Sequence, residues 1–488
     1  MITAVHPPSA PPAPRPLEFH GRLAGALAPF VLFLAGVGWL ALSGAPDERG
    51  FWPILLAALT LGLALARDRT RYSEVVIEAM GQPIVMLMIM AWLLAGVIGA
   101  VLNASGFVQA LVWLAREAQL TGALYVGAAF LACVVISTST GTSFGTIMLA
   151  GPLLYPAGGG VGAHPAVLMG AILAGATFGD SISPVSDTTI ASAGSQATDI
   201  PGTVRSRLKY VIPAGLLALL ASVALAAARA GDVPLGVVEG VGVAAGTGDA
   251  SPRGLPMLVV PLVVIALLVA RRHLLAGLLA GIALAVALGM ALGLLAPSDV
   301  LSIDRAAFGA KGVIIDGMSR GIGASVFTIL LMGLVGALQA SRAVSGALRW
   351  ARTNTMSPRR AELWIVGAVS AAVLLTTHSV VAVLTVGAFA REVGGRAGVS
   401  PYRRANLLDM TVCTYPFLLP YFLPTILASS ASQSGVPFGM LRVTPLQAGV
   451  MNTYAWALVV AVTVAIATGY GRGEGKGVPD GDARGEAE

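Results

Sequence analysis

The chain has 488 residues, 56% of them hydrophobic and 11% charged, with a mean hydropathy of +0.82. A soluble domain carries roughly a quarter charged residues, so this composition excludes a water-facing globule and implies a polytopic membrane protein. The net charge of +6 follows from basic loops between apolar segments and gives no reason to invoke a nucleic-acid partner.

Residues 1–23 are Pro-rich and polar and lack the basic-then-apolar pattern of a cleaved signal peptide, so a disordered tail is expected there. Apolar stretches follow near 24–43, 51–66, 82–102, 121–137, 146–157, 165–178, 207–228, 255–270, 274–296, 321–340, 361–377, 379–390, 412–430 and 445–469. A helix needs about 20 apolar residues to cross the hydrocarbon layer, and seven or eight of these stretches reach that length. The regions 121–200 and 361–430 do not, being cut by Gly, Pro and polar runs. Non-helical backbone survives at membrane depth only when buried in protein or lining a wet cavity, so function is expected in these two regions. Residues 471–488 read as a second disordered tail.

Lys and Arg placement gives the expected orientation. Arg67, Arg69 and Arg71 follow the second stretch; Arg205, Arg207 and Lys209 flank 207–228. Arg271 and Arg272 follow 255–270, and Arg342, Arg349, Arg352, Arg359 and Arg360 follow 321–340. The loops 44–50, 229–254 and 297–320 are nearly balanced in sign. Both termini are therefore expected in the cytoplasm, with the chain in the inner (plasma) membrane.

An internal repeat organises the chain. LLAGVIGAVLNAS (93–105) resembles LLMGLVGALQAS (330–341), and each precedes a Trp- and Arg-bearing segment, GFVQALVWLAR (106–116) and RAVSGALRWAR (342–352). The charge map runs the two copies in opposite directions. The expected fold is all-α, with two inverted-topology repeats containing discontinuous helices and hairpins, the architecture of secondary transporters. The repeats are placed at 24–228 and 255–470, joined by a Gly-rich linker at 229–254.

Polar clusters sit at matching places in the two repeats. STSTGTSFGT (137–146) packs seven hydroxyls into ten residues and supplies Ser137, Thr138, Ser139, Thr140, Thr142 and Ser143. GDSISPVSDTT (179–189) adds Ser183, Ser186, Thr188 and Thr189 around Asp180 and Asp187. In the second half TTHS (376–379) supplies Thr376, Thr377 and His378, and LLDMTVCTYPFLLPY (407–421) supplies Asp409. Gly141, Gly145, Gly179, Pro184, Pro416 and Pro420 are read as helix-breaking positions. Carboxylates, hydroxyls and freed carbonyls are the oxygen ligands a small hard cation takes. A carboxylate moved out of water also favours its protonated form, so one site can trade a cation for a proton. Asp180 and Asp187 are the expected sodium and proton site, with Asp409 as a third carboxylate and His378 as a titratable neighbour. Ser and Thr in membrane helices also bond their own backbone, and Arg403 or Arg404 offers Asp409 a structural ion pair instead.

GDSISPVSDTT resembles the G-D-x-x-S-P-x-S-D-T-T signature of NhaC-type sodium/proton antiporters, within the ion transporter superfamily, at eight of eleven positions. RRANLLDMTVCTYPFLLPY is similar to that family's R-x-x-x-L-x-D segment and its Pro-rich break. The resemblance implies a scaffold, a moving transport domain and substrate binding at the tips of broken helices. Ser181 stands where many relatives carry Lys, and Pro420-Tyr421 stands where some carry Trp-Asn.

The expected function is sodium (cation)/proton antiport, with no enzymatic activity and no cofactor beyond the sodium ion. The alternative is a sodium- or proton-coupled carrier of a small organic acid or amino acid, since helix N-termini also hold carboxylates. The expected partners are the lipid bilayer, sodium, protons and a second copy of the chain in a homodimer. The motif weighs against an intramembrane aspartyl protease: the segment reads T-F-G-D from Thr177, not G-x-G-D. Cys133, Cys413 and the five histidines show no metal-ligand spacing.

Overall fold

A computed structural model describes residues 16–43, 49–230, 250–270, 274–305, 308–341 and 357–472. Most of the expected tails and linker, Arg271, Arg272 and RAVSGALRWAR lie outside the described residues. The apolar stretches are helical. The first half contains α1 (Leu23–Leu42), α2 (Phe51–Leu65), α3 (Arg69–Met80), α4 (Pro83–Ala104), α5 (Phe107–Glu117), α6 (Gly122–Thr140), α7 (Ser143–Gly158), α8 (Pro165–Ile182), α9 (Asp187–Gln196) and α10 (Ile200–Ala228). After it come α11 (Val259–Val269), α12 (Leu274–Ala291), the single turn α13 (Pro297–Val300) and a hairpin of β1 (Ser302–Asp304) with β2 (Gly309–Lys311). The second half continues with α14 (Val313–Ala340), α15 (Pro358–Thr376), α16 (Ser379–Arg396), α17 (Pro401–Val412), α18 (Leu423–Ser432), α19 (Pro445–Val450) and α20 (Thr453–Thr468).

Among the described residues, six helices are long and apolar enough to cross a membrane, or seven if the pair bent by 45° between α17 and α18 is one span. The chain is thus a mostly helical, multi-pass membrane protein. Four expected stretches form shorter helices instead. Pro256 sits inside a 3-10 run that delays α11, and Asn452 restarts the last stretch by accepting the Ala455 N–H at 3.1 Å. Side-chain caps and an initial proline set many other starts: Asp199 precedes Pro201 in α10, Ser357 precedes α15, and Ser400 precedes α17.

Broken helices occur in both halves. In the first half, α6 breaks into α7, α8 breaks into α9, and α10 follows; in the second, α15 breaks into α16, α17 leads through an irregular connection into α18, and the short α19 precedes α20. Small residues let these helices approach. A Cβ on Gly179 would meet the Val134 carbonyl oxygen at 2.5 Å and Ser137 Cβ at 2.7 Å. Gly179 therefore serves the packing of α8 on α6 and does not break the helix. Gly145 is likewise helical, in the first turn of α7, because Thr142 Oγ1 accepts its N–H at 3.4 Å.

Polar side chains tie α10 to the second half: Arg403 Nη1 donates to the Tyr210 hydroxyl at 2.8 Å. Buried Glu362 accepts from Arg403 Nε at 3.1 Å and Arg472 Nη2 at 2.7 Å. Exposed Asp199, which caps α10, accepts from the Tyr402 hydroxyl of α17 and the Gly202 N–H. The Tyr402 bond, then the Gly202 bond, holds the Asp199 carboxyl below its ordinary value. A depressed folded-state value contributes stability above the unfolded-state value, and that contribution disappears as pH falls through the folded-state one. Asp199 is accordingly expected to titrate at lower pH than a free Asp. Tyr402→Phe should move its titration upward, as read by carboxyl NMR; an unmoved midpoint contradicts the link.

Candidate functional site

Two helix breaks frame the site. Between α6 and α7 the chain passes through Gly141 at φ 68° and extended Thr142 at φ −149°. Between α15 and α16 it passes through Thr377 at φ 51° and extended His378 at φ −136°. Both breaks thus use a left-handed residue followed by an extended one. Glycine meets the first requirement without cost. Thr377 is β-branched and fully buried, and such a residue is strained in this region by about 1–3 kcal/mol. Gly141→Ala is expected to destabilise by at least that amount, because its Cβ would also meet the Val185 carbonyl oxygen at 2.5 Å. Thr377→Gly should be neutral or stabilising. Thermal unfolding of both variants tests the contrast, and equal losses would show that backbone strain does not distinguish them.

A cavity of about 240 Å³ opens where the two breaks meet. Of the residues expected from sequence, Thr140, Gly141, Thr142, Ser143, Gly145, Asp180, Asp187, Thr188 and His378 line it. Asp180 lies in the last turn of α8 and is buried; its Oδ2 accepts the Ser143 N–H at 3.3 Å, at the start of α7. That places a carboxylate at the positive end of a helix dipole, where negative charge is favoured. Asp187 is the first residue of α9 and is exposed at the cavity wall. Four lining atoms lack hydrogen-bond partners: Thr140 Oγ1, Asp180 Oδ1, His378 Nδ1 and Ser379 Oγ. Buried polar groups are normally paired, so this convergence suits a polar ligand.

The other expected residues lie outside the lining. Ser137 Oγ donates to the Ala176 carbonyl at 2.6 Å, Thr138 Oγ1 to Val134 at 2.7 Å, Ser139 Oγ to Val135 at 2.8 Å and Ser183 Oγ to Thr138 at 2.8 Å. Thr376 Oγ1 donates to the His378 carbonyl at 3.3 Å and Thr377 Oγ1 to Thr376 at 2.8 Å. These hydroxyl protons are spent on nearby backbone, the usual fate of helical Ser and Thr. Ser186 Oγ pairs with Thr188 Oγ1 at 3.0 Å. Pro184 marks the break from α8 to α9, and Pro416 and Pro420 lie in the irregular connection from α17 to α18.

Asp409 does not reach the cavity wall. It forms a fully buried ion pair with Arg207, Nη1 to Oδ2 at 2.5 Å. Thr189 Oγ1 donates to the same oxygen at 3.1 Å and Cys413 Sγ approaches Oδ1 at 3.9 Å. Arg207 Nε also donates to Asn406 Oδ1 at 3.2 Å and Nη1 to the Ser181 carbonyl at 3.1 Å. The sequence reading had placed Arg207 among loop charges and offered Arg403 or Arg404 to Asp409. Arg403 instead serves Glu362, and Arg404 Nε donates to Gln196 Oε1 at 3.0 Å. Ser379, Cys413, Trp92, Met148 and Phe417 also line the cavity, without a sequence signal beyond the apolar run or the end of TTHS. Among the described residues no group of three His, Cys, Asp or Glu side chains could hold a metal ion.

Comparison with known proteins meets this geometry in the first half. Residues 57–228 match the Na+/H+ antiporter family. The resemblance to NhaC-type antiporters holds. The matched segment contains both cavity carboxylates, the first helix break and Arg207. The chain is 31% identical over 127 residues to the Na(+)/H(+) antiporter NhaC of Alkalihalophilus pseudofirmus, covering 26% of this chain and 27% of that one. It is 28% identical over 172 residues to the malate-2H(+)/Na(+)-lactate antiporter of Bacillus subtilis, covering 35% and 36%. It is 36% identical over 100 residues to the arginine/ornithine antiporter ArcD of Halobacterium salinarum, covering 20% and 21%. These similarities span between about a fifth and just over a third of each relative's length.

Proposed function

We propose that the protein exchanges a small cation, sodium in the first instance, for protons across the membrane. The observation that carries this reading is the cavity in which two helix breaks and the carboxylates of Asp180 and Asp187 meet. Asp180, Asp187, Thr140, Thr188 and Ser379 offer oxygens of the type a hard cation takes. A cation and a proton compete for the same carboxylates. Protonation releases the cation, cation binding releases the proton, and movement of the loaded site couples the two flows. The hydroxyls of Ser137, Thr138, Ser139 and Ser183 hold the broken segments in shape. Asp409, neutralised by Arg207, sets the field behind the site.

The proposed moving unit is built from two inverted repeats, a reading supported by the broken helices in both halves and by the shared left-handed-then-extended conformation at Gly141 and Thr377. The distribution of basic residues supports a topology with both termini in the cytoplasm and the protein in the plasma membrane. The test is flux in proteoliposomes of purified protein, with an imposed pH gradient and sodium, lithium or potassium added singly. Dissipation that depends on one cation supports antiport and identifies the ion; indifference to all three overturns it.

A second reading is supported by cavity size. Water occupies about 30 Å³ in the liquid, so a cavity of about 240 Å³ has room for a small organic solute beside an ion. The malate/lactate and arginine/ornithine antiporters among the relatives carry such solutes by name. On this reading the N-termini of α7 and α16 face the solute, and sodium or protons drive its movement.

A further inference from the structure

The positive charge that an organic anion needs is absent from the GDSISPVSDTT motif, but the fold supplies one from another helix. Arg320 was counted with the sign-balanced loop 297–320, yet it is the eighth residue of α14, a 28-residue helix long and apolar enough to span. At 1.5 Å per residue it lies about 10 Å along that helix. Ionisable side chains within a helix long and apolar enough to span are rare and usually serve function or pairing. Pairing does not explain Arg320. Among the described residues no hydrogen bond or ion pair engages its guanidinium. Asp316, one turn earlier on α14, is exposed and acts on it only through space.

Glycines determine where Arg320 sits. α14 crosses α4 closely because a side chain on Gly96 would strike the Gly317 carbonyl, and one on Gly321 would meet the Trp92 backbone at 3.1 Å. The crossing leaves half-buried Arg320 at a small cavity of about 50 Å³, lined also by Trp92, Met148, Ser430 and Ser434. No carboxylate lines it. Trp92 and Met148 also line the central cavity, so the two spaces share a wall. A volume of about 50 Å³ suits a single carboxylate-sized group, water taking about 30 Å³.

We propose that Arg320 is the carboxylate-recognition residue of an anion subsite beside the central cavity, and that the ligand is a small organic acid. This rests on the second reading above and supplies its missing cation. The guanidinium fork meets the carboxylate with two parallel hydrogen bonds, the Ser430 hydroxyl supplies a further donor, and the rest of the solute lies past Trp92 in the larger cavity. No bond is made or broken.

The experiment measures equilibrium binding of radiolabelled malate and, separately, lactate to the purified full-length protein in nanodiscs with sodium present. Wild type, Arg320→Lys and Arg320→Gln are compared, each checked for fold by gel filtration and thermal unfolding. Binding of either acid is expected in the wild type, weakened about tenfold or more in Arg320→Gln, the scale of a lost charge-assisted hydrogen-bond pair. Arg320→Lys, which keeps the charge and loses the fork, should fall between them and serves alone if Arg320→Gln does not fold. Wild-type sodium-driven proton flux with no binding of either acid overturns this inference and leaves cation/proton exchange standing. Acid binding that is equal in all three proteins overturns the role of Arg320 while leaving the carrier reading intact. Acid binding lost in Arg320→Gln without any cation-driven proton flux supports the subsite and overturns cation/proton antiport.

Discussion

Asp187→Asn is expected to abolish cation-driven proton exchange while leaving the protein folded. Asp187 opens α9 at the cavity wall, and its side chain is exposed there. The carboxamide keeps the shape and removes the charge and the titratable proton together. Substitutions at exposed positions without packing roles cost within about 0.5 kcal/mol, so thermal unfolding should barely move. Exchange should fall to the level of empty liposomes, because an asparagine neither carries a proton nor offers a cation a full negative charge. Asp180→Asn is expected to lose exchange as well but to perturb the fold more, since Asp180 is buried against the Ser143 N–H. Wild-type flux from a well-folded Asp187→Asn protein would remove Asp187 from the site.

The largest expected effect on stability lies behind the cavity. Removing one partner of a buried ion pair leaves the other charge without compensation, at about 3–5 kcal/mol. Arg207 and Asp409 are each about 1% exposed at the side chain and bridge α10 to α17 at 2.5 Å. Asp409→Asn and Arg207→Met should each destabilise by that amount. The pair of substitutions Arg207→Met with Asp409→Leu should recover much of the loss, since well-packed apolar replacements of a buried pair are often neutral or better. A double-mutant cycle by unfolding in detergent gives the coupling directly. Losses that simply add would mean that the two charges do not depend on each other.

The sequence carried the first half of the site well, and physical reasons explain where it did not. Two aspartates among hydroxyls in an apolar chain are unusual enough to stand out, and both reach the cavity. Gly141 of STSTGTSFGT announced the first helix break, whereas Gly145 lies in the helix that follows it. Its counterpart at Thr377 carries neither Gly nor Pro, so its left-handed backbone is imposed by the surrounding fold and had no local sign. Many of the flanking hydroxyls proved to be occupied with backbone carbonyls, which spacing alone does not reveal. Arg207 was misplaced because Arg205 and Lys209 flank it and a basic cluster at a helix end reads as a loop. The 3.6-residue period held a correction: Thr203, Arg207, Tyr210, Val211 and Ala214 share one buried face of α10, while Arg205 is exposed. Arg320 was lost for a similar reason, lying just before the apolar run that defined its helix. Glu362 and Asp409 found arginines far from them in sequence, and such partnerships come only from the packed fold.

The most direct test of the central claim is binding of radioactive sodium to the purified protein across a range of pH. If one cavity holds either the cation or the proton, lowering the pH weakens apparent sodium affinity without changing the number of sites, and Asp187→Asn removes the binding. Sodium affinity that is independent of pH, or unchanged in Asp187→Asn, would contradict competition at these carboxylates.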